Sequence, residues 1–173
     1  PDLLNNGWQP HSVLANFGAA AVAAKLSGFD VEQTHHALAI AMSHCSGTTE
    51  YTSTGGSIKR AHAGMGARNG IEAAELARAG ITGPRRYLTG NKGFYRTFIR
   101  KAMGHEARSE FAPGQPLQLK QMWIKAYCCC GANHAYIDAM AQVRGRAADI
   151  VEVDTQIQTS TVPRACRAIQ IGR

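Results

Sequence analysis

The sequence predicts a mainly α fold, with an all-helical domain over residues 1–112 and part of a smaller α+β domain over 113–173. Three observations predict it. Apolar residues recur at three- and four-residue steps through much of 12–79, the spacing that puts them on one face of a helix. Glycine and helix-capping residues punctuate that stretch at intervals of one helix. Strict alternation appears only late, at 150–153, after a polar, turn-rich segment at 101–116 that reads as a domain boundary.

The first long helix is predicted over 12–26. Ser12 is placed to cap it, Val13, Leu14, Phe17, Ala21 and Ala24 form its apolar face, and Gly28 stops it. Asp30 starts the second helix, with Gln33 three residues on to complete a capping box; Val31, Leu38, Ile40, Ala41 and Met42 carry it to about His44. Residues 46–56 are rich in Gly, Ser and Thr and read as a loop. The third helix is predicted over 57–79. Gly64, Gly66 and Gly70 in its interior are poor helix formers that serve either close packing or room for a ligand. Gly80-Ile81-Thr82-Gly83-Pro84 ends it, and short helices are expected at 85–89 and 94–99. Beyond the boundary the sequence predicts mixed strand signals at 117–126, a half-buried strand of small thiols at Cys128, Cys129 and Cys130, a helix over 133–143 and a strand at 150–153.

Composition narrows the function. The hydrophobic fraction of 45% supports a packed core, and the charged fraction of 18% is too low for a disordered chain. No run of about 18 apolar residues is present, which argues against a membrane helix. A basic segment followed by an apolar core is missing at the N-terminus, and Pro1 is no initiator, so the chain reads as part of a longer or processed protein. The net charge of +7 is scattered, without an aromatic–basic stripe, and so suits an anionic metabolite better than nucleic acid. Five cysteines, three of them consecutive, do not form a disulfide framework and fit a reducing cytoplasm. Consecutive cysteines also lack metal-ligand spacing, as do His44, Cys45 and Glu50; no metal is expected. His35 and His36 are read as capping or solvent-facing.

Several segments carry a resemblance. Gly7-Trp8-Gln9-Pro10-His11-Ser12-Val13 is similar to a G-[WF]-H-P-T-S-V pattern. Ser57-Ile58-Lys59-Arg60-Ala61-His62-Ala63-Gly64 is similar to S-x-x-K-x-x-H-x-G. Lys125-Ala126-Tyr127-Cys128-Cys129-Cys130, with His134-Ala135, is similar to K-x-Y-P-C-C-x-x-x-H-A. In these, over roughly 7–152, the chain resembles the 2-methylcitrate dehydratase / cis-aconitate decarboxylase (MmgE/PrpD) family of cofactor-independent lyases. The resemblance implies a helical domain carrying most of the active site, an α+β lid, homodimers, and a small di- or tricarboxylate substrate. It also implies a much longer whole protein, whose upstream helices carry an aspartate and a histidine of the site.

Elimination beside a carboxylate needs a base for the α-proton, cations for the enediolate-like intermediate, and an acid for the leaving group. Lys59 and His62 lie three apart on one helix face; by spacing alone they are either a solvated lysine and a core histidine, or site residues. The resemblance makes Lys59 and His62 catalytic, and Lys125 a lid lysine reaching over the bound acid. Tyr127 is expected to pack beside Lys125, and His134 to orient the lid helix. Gln9, His11 and Cys130 are expected to contact substrate. Gln9 stands where the family pattern has a histidine, and His11 where it has a threonine. Glutamine donates hydrogen bonds but does not shuttle protons. The leading expectation is a hydro-lyase acting on a 2-methylcitrate- or aconitate-like acid. The alternatives are a decarboxylase or epimerase on the same scaffold, a non-catalytic truncated paralogue, or a basic nucleic-acid-binding module.

Overall fold

In the computed structural model the described residues are 2–102, 122 and 124–142 (for Ala132, the backbone alone). The chain divides into two compact units, Pro1–Phe111 and Ala112–Arg173. The strand expected at 150–153 and the boundary segment after residue 102 lie outside the described residues.

The first unit is built on three long helices: α2 (Pro10–Leu26), α3 (Val31–Ser43) and α5 (Lys59–Arg78). The short helices α1 (Asp2–Asn5) and α4 (Tyr51–Thr54) flank them, and a π-helical turn (Tyr95–Ile99) follows. No strand occurs among the described residues, where the one β-bridge joins Trp8 to Thr48.

Alanine and glycine in the interior explain the close packing. Ala20, Ala24, Ala37, Ala41, Ala73, Ala74 and Ala77 are buried together with Ile40. A methyl side chain contributes only about 0.8 kcal/mol of burial, so this core depends on backbones approaching closely. Gly66 and Gly70 allow that. A Cβ on Gly66 would lie 2.7 Å from Ala15 Cβ, and one on Gly70 would lie 2.4 Å from Ala19 Cβ and 2.5 Å from the Asn16 carbonyl oxygen. Gly64 has nothing within 4 Å of such an atom. Packing therefore accounts for two of the three glycines. A second, aromatic cluster joins Leu3, Val13, Phe94 and Phe98, with the Trp8 ring tilted against Phe98, centroids 4.9 Å apart.

The helix ends follow the sequence signals. Asp30 Oδ1 accepts the Gln33 N–H at 2.8 Å while Gln33 Oε1 accepts the Asp30 N–H at 3.3 Å, completing the capping box of α3. Helices α2 and α5 both end in Schellman motifs around left-handed glycines: the Phe29 N–H reaches Ala24 O and the Ile81 N–H reaches Leu76 O, both at 3.0 Å, past Gly28 and Gly80.

Four expectations are corrected. Ser12 does not cap α2: the helix starts at Pro10 with Gln9 as N-cap, because proline's fixed φ and missing N–H suit the first helical position, and Ser12 is buried. The 46–56 loop contains α4. His35 and His36 are half-buried rather than capping or solvent-facing: His36 Nδ1 accepts the Gly83 N–H at 3.3 Å, its Nε2 meets Glu32 at 3.3 Å, and His35 stacks edge-on to Tyr87. The cysteine run is a series of bends, with the Cys129 N–H bonded to Tyr127 O at 2.8 Å, and Cys128 and Cys130 are exposed.

In the second unit a 3-10 turn, Gly131–Asn133, leads into α6 (His134–Gln142).

Candidate functional site

Three segments of the first unit meet at one cleft. The first is the entry to α2, where Gln9 is fixed: its backbone N–H donates to Gly47 O at 3.1 Å, and the side chain is 6% exposed. The second is the 46–50 loop with α4. It is pinned to the first by the Thr49 N–H and hydroxyl, both donating to Gly7 O. The third is the start of α5, whose first turn begins with Ser57 O accepting the Arg60 N–H.

Gly47 makes the close approach possible. Its φ of +94° is a left-handed conformation, and a Cβ there would lie 2.4 Å from Ser12 Oγ and 3.3 Å from His62 Nε2. The loop therefore seats directly against the imidazole. The cleft lies between the second and third segments, has a volume of about 470 Å³ and is lined among others by Gly47, Thr48, Glu50, Tyr51, Ile58 and His62; Gln9, His11 and Lys59 stand around Tyr51 rather than in that lining.

His62 is 3% exposed, and its Nδ1 is buried without a hydrogen-bond partner among the described residues. Leaving a buried polar atom unmet costs about 1–3 kcal/mol, so a partner supplied by a bound molecule would be favoured there. Lys59, exposed one turn earlier, places its Nζ 5.7 Å from the centre of the Tyr51 ring, within cation–π range. The same ring stands edge-on to His62, centroids 5.8 Å apart. No acidic residue occupies the first turn of α5, which carries Lys59 and Arg60 on an already positive helix end.

Tyr51 completes the arrangement. Its hydroxyl donates to Gln9 Oε1 at 2.9 Å, and Gln9 Nε2 lies 3.1 Å from His11 Nδ1. The structure thus brings Gln9, His11, Lys59 and His62 around Tyr51. Sequence reasoning missed Tyr51. Its signal was faint: a single aromatic residue, beside Glu50, in a stretch otherwise of Gly, Ser and Thr.

Behind the cleft the core is polar. Asn16, fully buried, donates to Ser12 O at 2.7 Å, and Asn69 reaches His44 O. The Cys45 thiol donates to Val13 O at 3.2 Å; burial pushes it up to about 12, with Asn16 opposing weakly. His44 is the C-cap of α3. Glu50 lines the cleft, and no group of three metal-ligating side chains occurs among the described residues.

Lys125 and Cys130 belong to the second unit. Lys125 Nζ donates to Cys129 O at 3.0 Å, and Cys130 lies just before the 3-10 turn. Tyr127 donates to Asp138, which raises its phenol above the ordinary value, and packs edge-on to His134 at 5.1 Å. These contacts tie the loop bearing Lys125 to α6.

Residues 2–106 match the family model for the MmgE/PrpD N-terminal domain. The chain belongs to the MmgE/PrpD family. Among curated relatives it is 29% identical over 160 residues to the cis-aconitate decarboxylase-like protein oryM of Aspergillus oryzae, covering 88% of this chain and 33% of that protein. It is 30% identical over 161 residues to cis-aconitate decarboxylase of Aspergillus terreus, covering 87% and 31%. It is 31% identical over 140 residues to the human cis-aconitate decarboxylase, covering 79% and 28%. The chain spans about a third of the length of the first two of these relatives.

Proposed function

We propose that this chain contributes the cation-bearing part of a lyase active site that acts on an aconitate-like tricarboxylate, and that the reaction is loss of CO2. The observation that carries the reading is His62: an almost fully buried imidazole lining a cleft, one ring nitrogen unmet among the described residues, sharing the Tyr51 ring with the Lys59 ammonium at a positive helix end.

The chemistry favours decarboxylation over dehydration. Dehydration needs a base to remove the α-proton and an acid for the leaving hydroxide. Loss of CO2 from an unsaturated tricarboxylate needs one proton. The C–C bond to a carboxylate breaks, and its electron pair stays on the acid, delocalised through the double bond onto a second carboxylate. Lys59 stabilises that charge. The His62 imidazolium then gives its proton to carbon and regains one from solvent. Gln9 cannot replace a histidine in a two-proton scheme, and the matching relatives are named as decarboxylases. Lys125 is the proposed cation from the lid. The whole protein is proposed to act as a homodimer without metal or organic cofactor.

The test is to incubate the polypeptide carrying this chain with cis-aconitate and with 2-methylcitrate, and to follow products by proton NMR. The expected outcome is a CO2-losing product from cis-aconitate, reduced about 10²–10⁴-fold by Lys59→Ala or His62→Gln. Water loss from 2-methylcitrate as the dominant reaction would establish a hydro-lyase instead. Turnover untouched by Lys59→Ala would overturn the site. The 173-residue chain alone is expected to be poorly active, since it spans a third of its relatives.

A further inference from the structure

Gln9 and His11 look like two separate departures from the family pattern, but in the structure they are joined. Gln9 Nε2 lies 3.1 Å from His11 Nδ1, and Gln9 Oε1 accepts from the Tyr51 hydroxyl at 2.9 Å. An amide nitrogen only donates and an amide oxygen only accepts. His11 Nδ1 is therefore the acceptor, which puts the neutral ring's proton on Nε2. Tyr51 has one hydroxyl proton, and Gln9 takes it.

The geometry points to His11 setting, through the Gln9 amide, whether Tyr51 can donate a hydrogen bond to an anion in the cleft. His11 and Gln9 are then positioning residues, and Tyr51 a specificity-determining one. The inference rests on the reading of this cleft as a carboxylate site.

The argument follows the protons. When His11 is protonated, both ring nitrogens donate, and Nδ1–H faces Gln9 Nε2–H. Two donors cannot bond. The Gln9 backbone is held by Gly47 and its side chain is buried, whereas His11 is exposed; either the ring swings out to solvent or the terminal amide rotates, and the relay takes the second course, which keeps the hydrogen bond to His11. That torsion is broad and roughly two-fold. After a half-turn Oε1 accepts from His11, and Nε2 donates to the Tyr51 oxygen. The Tyr51 proton is released to another acceptor. Tyr51 lines the cleft, with Lys59 over its ring and His62 at its edge, so a ligand carboxylate there would meet a phenol donor together with the cations. With His11 neutral, the same carboxylate meets a phenol whose proton points away.

Glu50 and Tyr51 from the loop and α4, and Lys59, Arg60 and His62 from the first turn of α5, are the other ionisable groups on the segments that meet here; Lys25 of α2 and Arg68, Glu72, Glu75 and Arg78 of α5 lie further along their helices. His62 is itself an ionisable group lining the cleft, so tighter anion binding at low pH would not by itself identify the relay. Removing His11 does. His11→Ala frees the amide to turn at any pH. It should tighten binding of tricarballylate, a non-reacting tricarboxylate, at about pH 8.5, even though it deletes a potential cation. The expected gain is about three- to tenfold, the size of one hydrogen bond. At that pH Tyr51→Phe should bind about as wild type does, because the phenol proton already points to Gln9, and adding His11→Ala to it should give no gain.

The measurement is calorimetric titration of tricarballylate into the 173-residue chain and these variants, together with NMR of the free chain. In the free chain His11 should be the Nε2–H tautomer. Its titration should be tracked by the Gln9 side-chain amide and by Tyr51 Cζ. The Tyr51 response should vanish in His11→Ala and survive in His62→Gln. Unchanged or weaker binding by His11→Ala, or a Tyr51 Cζ that ignores His11, overturns the relay. A chain that binds no tricarballylate while showing the coupled titration would leave the relay standing and count against the carboxylate reading.

Discussion

Gly70→Ala is the most demanding test of the α2–α5 packing. The new Cβ would sit 2.4 Å from Ala19 Cβ, 2.5 Å from Asn16 O and 2.7 Å from Ala20 N, roughly 1 Å inside van der Waals contact. Two of the three obstacles are backbone atoms in the middle of a helix, which cannot rotate away. The two helices must separate, and the alanine methyls packed between them lose contact. Overpacking of this kind costs about 1–3 kcal/mol, against about 1 kcal/mol gained from alanine's better helix propensity. With backbone atoms as the obstacles the cost falls in the upper part of that range, about 2–3 kcal/mol, so the net expectation is a loss of about 1–2 kcal/mol, at roughly 4–8 °C in Tm per kcal/mol for a unit of this size. Gly64→Ala is the internal control. It lies on the same helix with nothing within 4 Å, so propensity alone acts, and a gain of about 0.5–1 kcal/mol is expected. Urea unfolding followed by circular dichroism reads both. A Gly70→Ala variant as stable as wild type, or a Gly64→Ala variant that loses as much as Gly70→Ala, would refute the close-approach argument.

Three further expectations follow from single contacts. His62→Leu removes a buried, unmet nitrogen, so it should keep stability within about 1 kcal/mol of wild type or raise it, while abolishing tricarballylate binding; a loss above about 2 kcal/mol would make His62 structural. The Cys45 thiol stays protonated in the folded chain up to about 12 but ionises near 9.0 when unfolded, so its contribution to stability is complete below pH 9 and lost as pH rises from 9 to 12. Cys45→Ala should therefore lose less stability than wild type between pH 8 and 10.5, and native Cys45 should resist iodoacetamide while Cys128 and Cys130 react. Asp30→Ala deletes the capping box of α3 and should cost about 1 kcal/mol by thermal unfolding, with Asp30→Asn costing only a small part of that.

The helices were legible because their signals are local. Asp30 with Gln33, Gly28 and Gly80 act within one turn, and the structure uses each as its sequence context implies. Ser12 misled because two capping signals lie three residues apart, and the rigid ring of Pro10 outranks a hydroxyl that the core then buries. The close crossing of α2 and α5 was half legible: three helical glycines were visible, but which of them face another backbone depends on the helix opposite. The site divides in the same way. Lys59 and His62 were nominated by the resemblance; their spacing on one helix made them neighbours but left a solvated lysine and a core histidine open. Tyr51 was not, because what places it is the pairing of 46–50 with the segment before α2, through Gly47 and Thr49. The resemblance nominated Gln9 and His11 by position, but only geometry revealed that they share a hydrogen bond.

The central claim is that the cleft between α4 and α5 receives a tricarboxylate on Lys59 and His62. Titrating cis-aconitate into isotope-labelled chain and mapping the shifted resonances tests it most directly. The account predicts that the largest changes fall on the His62 imidazole, the Lys59 ε-methylene and the Tyr51 ring, and that Lys59→Ala weakens binding by about tenfold or more, the value of a hydrogen bond to a charged group. Saturable binding whose shifts leave His62 and Tyr51 unmoved, or binding indifferent to Lys59→Ala, would contradict it.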